Sequence, residues 1–275
     1  MSIRRNGKRF TTYNRRVTLR LCLSPIALAA VALAVAAWPA PKPPRLLMVT
    51  HSAGYQHDVV RRQLPHRLSV AEQVVVELAQ RSGTFEVAHV YTRDELARLQ
   101  RHSFQGFHAV LFFTTGSLPL TAEARRGLFE FVRGGRGFIG VHSASDTWYD
   151  VPEYGELLGG YFDGHPWHEP VRVIVEDPTH PSTGHLGTAF EITDEIYQFR
   201  NWSRGQVHVL LKLDPRSVDA RKGKRPDQDY ALSWVRQYGQ GRVFYTALGH
   251  RQEVWADERF RLHLLGGIRW AMGVP

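Results

Sequence analysis

Cysteine is almost absent from this 275-residue chain: the single one, Cys22, lies in an apolar stretch near the N-terminus, and residues 46–275 contain none. That excludes thiol nucleophiles, structural disulfides and Cys-ligated metal from the folded body. An excess of one charge is missing there too. Seven basic residues, from Arg4 to Arg20, precede the apolar stretch, Lys42 and Arg45 follow it, and the first acidic residue is Asp58. Of the 35 basic residues 9 thus sit in this tail, and those left over balance the 26 acidic ones. The net charge of +9 belongs to the tail, so no nucleic-acid partner is expected. The histidines match no metal signature of the His-Glu-x-x-His type, and no internal repeat or low-complexity block interrupts 45–275.

The tail reads as an export device. Residues 1–20 form a basic stem, and 21–38, from Leu21 to Trp38, are an uncharged Ala/Leu/Val-rich run just long enough to span a bilayer. A signal peptide or a signal-anchor helix is expected there, with the stem in the cytoplasm and the body in the periplasm or on the outer face of the inner membrane. If it is uncleaved, the segment tethers the protein to the membrane. Residues 39–44, rich in Pro, then make a stiff spacer.

The body, 45–275, is large enough for one α/β domain with a sizeable core. Apolar runs at 45–50, 85–91, 107–114 and 137–141 alternate with amphipathic helices at 67–81 and 121–132, the second with Thr121 as N-cap. This alternation predicts a parallel, doubly wound sheet whose ligands lie beyond the strands' carboxyl ends. The second half is richer in strands, at 171–176, 190–197, 207–213, 231–236 and 242–247, with a flexible loop at 214–229. A helix at 257–272 closes the chain, and its Gly266-Gly267 pair predicts close approach to another element.

Gly140-Val141-His142-Ser143-Ala144-Ser145-Asp146 carries the clearest chemical content. Small residues flank His142 where an apolar strand ends, as a sharp strand-to-helix turn demands. An imidazole thus occupies the place where related scaffolds mount Ser or Cys. The chain has 14 histidines, and His57, His165, His168 and His250 also follow strands or lie in glycine-rich loops. Such convergence suits general acid/base or metal-assisted chemistry. The expected catalytic groups are His142, Asp146 as its orienting carboxylate, and Glu195. A divalent ion such as zinc is expected on His57, His142, His165 and His250. Substrate contacts are expected from His57, Trp148, Tyr161, His165, Trp167, Tyr197 and Trp202, the loop tryptophans offering flat faces for sugar rings. His66, His89, His102, His108 and His263 are read as ordinary surface or strand histidines, and His180 and His185 as loop organisers.

Gly-Tyr-Gln-His-Asp (54–58), Gly-Val-His-Ser-Ala-Ser-Asp (140–146), Gly-Gly-Tyr-Phe-Asp-Gly-His-Pro (159–166), His-Pro-Ser-Thr (180–183), Asp-Glu-Ile-Tyr (194–197) and the run ending at His250 (241–250) together resemble the ThuA-like, trehalose-utilisation family. The resemblance spans about 45–273. It implies a class I glutamine amidotransferase-like, flavodoxin-like sandwich without the amidotransferase cysteine. It also implies a bacterial role in disaccharide use, alongside a sugar oxidoreductase of the same pathway that makes 3-keto sugars. The expected activity is that of a hydrolase, lyase or isomerase on a carbohydrate; a non-catalytic sugar-binding module is the alternative.

Overall fold

The computed structural model describes residues 42–275, so the stem, the apolar run and residues 39–41 of the proline-rich spacer lie outside the described residues. In chain order the elements are β1 (Arg45–Val49), α1 (Val70–Ser82), β2 (Glu86–Val90), α2 (Arg93–Ala97), β3 (Ala109–Phe112), α3 (Ala122–Arg133), β4 (Gly137–Val141), α4 (Pro152–Leu158), β5 (Tyr161–Phe162), β6 (Pro170–Val175), β7 (Ala189–Thr193), β8 (Phe199–Arg200), β9 (His208–Leu213), β10 (Ala231–Tyr238), β11 (Gly241–Thr246), α5 (Gln252–Ala256) and α6 (Glu258–Met272). Among the described residues no helix is long and apolar enough to cross a membrane.

Nine strands form one sheet in the order β2-β1-β3-β4-β11-β10-β9-β6-β7, and β5 pairs separately with β8. The first five are parallel, and their inner members β3 and β4 are buried along their whole length, as strands covered on both faces must be. The remaining neighbours pair antiparallel, which corrects the expectation of a wholly parallel sheet. The cause is local: only Gly239 and Gln240 separate β10 from β11, too little chain for a parallel crossover, and Gly239 takes the left-handed φ of 62° that the tight turn needs.

Local chemistry explains the helix ends. Ser69 and Glu72 form a reciprocal capping box, so α1 starts later than its apolar pattern suggests, and Gly83 closes it in the left-handed conformation. Thr121 caps α3 as expected. The close approach at α6 is also present: a Cβ on Gly266 would lie 2.4 Å from the Pro181 carbonyl oxygen, and one on Gly267 2.3 Å from the Phe244 ring. Loop 214–229 contains two short 3-10 turns and is anchored to the body: Arg204 pairs with Asp229, and the Lys224 N–H donates to Gln198 Oε1 at 2.8 Å.

His263 is not a surface residue. It packs inside α6, 1% exposed, and its Nδ1–H donates to the Ser182 carbonyl at 2.9 Å. Burial pushes its pKa down from 6.5 to about 3, so the native state keeps the ring neutral. The unfolded chain binds this proton once pH falls below 6.5; stability is therefore intact above that value and lost as pH falls toward 3. On going from about pH 7 to 5 the expected loss from this residue is about 2 kcal/mol. Urea midpoints of the wild type and His263→Gln at both pH values test this; equal acid sensitivity in the two proteins would rule it out.

Candidate active site

Four chain segments bring their functional groups to the carboxyl end of the parallel strands. His142 follows β4 directly and sits at φ 47°, a left-handed conformation that a residue with a Cβ adopts only when its surroundings enforce it. Gly140 below it has no room for a side chain, since a Cβ there would meet Leu158 Cδ1 at 2.7 Å and Tyr245 Cδ2 at 2.8 Å. The Tyr245 hydroxyl donates to the His142 carbonyl at 2.7 Å and lies 2.9 Å from Ser145 Oγ, which pins the turn from beneath. His142 is fully buried, and its Nδ1 lies 2.6 Å from the Ala247 carbonyl. A carbonyl only accepts, so Nδ1 carries the proton and Nε2 presents its lone pair to the site.

Glu195 lies just past β7. The expected strand at 190–197 ends at Thr193 because Asp194 turns inward, where its carboxylate accepts the N–H groups of Gly249 at 2.7 Å and Arg251 at 3.1 Å. That clamp holds the backbone on both sides of His250 and thereby fixes His250 against Glu195. Burial raises the Asp194 pKa, against the pull of His142 and the backbone donors. Glu195 Oε2 is 3.4 Å from His142 Nε2 and 3.1 Å from His250 Nδ1, while Oε1 is 3.4 Å from His165 Nδ1. His57, from the loop after β1, completes the group, with ring centroids 4.8 Å from His142 and 5.1 Å from His250. One donor atom from each of His57, His142, Glu195 and His250 lies within 4.8 Å of the others.

Electrostatics differ sharply within this small volume. Burial, reinforced by His142 and His250, drives the His57 pKa far below the imidazole range and keeps that ring neutral. Burial alone would raise the Glu195 pKa, but His142 and His250 outweigh it and hold the carboxyl well below its usual range. Contact with Glu195 raises the His250 pKa.

The structure brings together His57, His142, Glu195, His165 and His250, with two changes of position. His165 stands at the mouth with half its side chain exposed, outside the tight group of four, and Glu195 takes the place expected for it among the potential metal ligands. Asp146 does not orient His142, because the Ala247 carbonyl already does; it accepts from the Tyr149 hydroxyl at 2.6 Å, and burial raises its pKa. Tyr197 stacks on His142 with centroids 4.2 Å apart and forms a wall of the site.

The other aromatic expectations are corrected. Trp148, Tyr161, Trp167 and Trp202 are all buried and present no open face to a sugar ring. Trp148 donates to the Leu118 carbonyl, Tyr161 to that of Val151, and Trp167 to that of Asp219, while the Arg225 guanidinium covers Trp202. Each serves packing, as large aromatics in a core do. Tyr55, 66% exposed with its ring edge-on to His57, is an aromatic at the mouth that the sequence reading passed over. Its place in the Gly54-to-Asp58 motif is the signal that could have found it. The Asp194 clamp was readable only as an acidic pair.

A large mixed sheet with helices, carrying an imidazole at the strand-end elbow and no cysteine among the described residues, is an α/β architecture consistent with the glutamine amidotransferase-like class. Within that class the chain belongs to the ThuA, or trehalose utilisation, family, whose model matches residues 45–271, and this membership implies a carbohydrate-related role. The fold is similar to that of a ThuA-like protein from Bacteroides uniformis (22% identity, TM-score 0.65, covering 86% of this chain and 95% of that one). It is equally similar to one from Parabacteroides merdae (21% identity, TM-score 0.67, 85% and 91% covered). A cytoplasmic protein of Salmonella typhimurium shares the fold more distantly, at 12% identity and TM-score 0.54 over 83% of this chain and 98% of that one. No curated protein matches the chain.

Proposed function

We propose that the protein transforms a carbohydrate that bears a carbonyl, such as a 3-keto disaccharide derivative, by proton transfer beside that carbonyl. The observation that carries this reading is the convergence of His142, His165 and His250 on the one carboxylate of Glu195, beyond the strand ends. A carbonyl acidifies the neighbouring C–H, so removal of that proton forms an enolate. Positive charge held at the cluster stabilises the enolate oxygen, and His250, whose proton Glu195 retains, supplies it. His165, exposed at the mouth, is placed to take the proton. The electron pair then either expels the substituent on the next carbon, giving elimination, or recaptures a proton, giving isomerisation. Asp146 and Tyr149, joined by a hydrogen bond near His142, are a second proton-carrying pair for the leaving oxygen. The substrate follows from the family's role and is the product expected of a partner sugar oxidoreductase. The apolar run of 21–38 supports action at or beyond the outer face of the inner membrane.

The test is proton NMR of a 3-keto disaccharide and its unoxidised parent, each incubated with the full-length protein. Consumption of the keto sugar at least about 100-fold faster than the parent is expected, the scale of one general acid/base contribution. Equal rates, or binding without product, would refute it; the second result would favour a sugar-binding module, a reading that lost its stacking platforms when Trp148, Trp167 and Trp202 proved buried.

A further inference from the structure

We infer that His57, His142, Glu195 and His250 hold one divalent first-row transition ion, zinc being the best match to three imidazoles and a carboxylate. This goes beyond the reaction proposed above and stands on separate observations. His57 Nδ1, His142 Nε2 and His250 Nδ1 are buried, yet none has a hydrogen-bond partner. Single unpartnered imidazole nitrogens also occur elsewhere, on His89, His180 and His263, but only these three lie on adjacent rings among the described residues, with centroids 4.8, 5.1 and 5.4 Å apart. Two of them do lie close to Glu195 Oε2, at 3.4 Å and 3.1 Å, without forming a hydrogen bond to it. Donor atoms that gather this closely without pairing are available to a shared ion. For metal–ligand bonds of about 2.0–2.1 Å a tetrahedron has edges of about 3.3 Å, close to the 3.4 Å and 3.1 Å from Glu195 Oε2 to His142 and His250.

The supporting contacts fit the same reading. The Ala247 carbonyl holds the Nδ1 proton of His142 and leaves Nε2 as the donor, the arrangement by which backbone acceptors orient metal-ligating histidines. Asp194 clamps the amides on both sides of His250, so two of the four ligands are set by one buried carboxylate. The widest separation, up to 4.8 Å, exceeds the about 4.2 Å that two ligands of one ion can span, so binding draws the four groups together by a few tenths of an ångström, with His165 left at the mouth. When bound, the ion takes the place of the His250 proton, which a ligating nitrogen cannot keep, and supplies Lewis-acid charge where the carbonyl oxygen is proposed to sit.

The experiment is titration of the chelator-treated full-length protein with Co²⁺, read by visible absorption, together with elemental analysis after zinc loading. Saturation at about one equivalent is expected, with Kd raised at least about 100-fold in Glu195→Ala and His57→Ala and unchanged in His208→Ala, a histidine paired with Asp177 away from the site. No saturable band, or unchanged affinity in both ligand variants, would overturn the inference. X-ray absorption of the zinc-loaded wild type needs no variant: about three imidazoles per ion support the site, and one or none contradicts it. These readouts need no sugar, so absence of sugar turnover alone bears only on the proposed reaction.

Discussion

Replacing Glu195 with Gln is expected to lower kcat/KM for a keto disaccharide by about 10³-fold while leaving the protein folded, the scale seen when a preorganised charge-stabilising group is removed. The amide matches the carboxylate in shape but brings no charge, and its NH₂ offers a donor that an acceptor nitrogen such as His142 Nε2 could bind in place of substrate or ion. His250 would lose the contact that raises its pKa, and with it the proton proposed to stabilise the enolate. Glu195 lies at the rim of the core with part of its side chain accessible, so the substitution creates no cavity. Circular-dichroism melts run beside the kinetics check that the variant is folded. A folded variant with full activity would remove Glu195 from the chemistry.

Trp167→Ala is expected to act in the opposite manner, destabilising the fold by about 3–5 kcal/mol with little effect on KM in whatever protein remains folded. Its ring is wholly buried, packs edge-on against Tyr230 with centroids 4.9 Å apart, and donates to the Asp219 carbonyl at 3.0 Å. Truncation would open a cavity under loop 214–229 and free its anchor. Denaturant unfolding combined with KM measurement separates the two roles. A small stability loss with a large rise in KM would return Trp167 to the sugar site.

The sequence was most informative where the governing physics is local. Small residues around His142 announce a sharp turn because sterics within a few residues decide it, and the turn is there. Thr121 at the start of α3 and the Gly266-Gly267 contact in α6 are legible for the same reason. Long-range consequences were harder to read. Nothing near Glu195 indicates that it meets His142 and His250, because the contact depends on the Asp194 clamp across 55 residues of chain. Loop tryptophans gave the wrong impression because an aromatic in a glycine-rich segment looks the same whether the segment folds over a core or over a ligand. The antiparallel half, in contrast, had a readable cue in the short gap between the strands expected at 231–236 and 242–247.

The most direct test of the central claim follows one hydrogen, the one on the carbon next to the substrate carbonyl, by NMR in D₂O. With the wild-type protein that hydrogen should be lost or replaced by deuterium as the keto sugar is consumed, and with Glu195→Gln and His142→Ala it should persist. Turnover by the wild type with the hydrogen retained, or its loss at undiminished rate in both variants, would contradict proton transfer at the histidine–glutamate cluster.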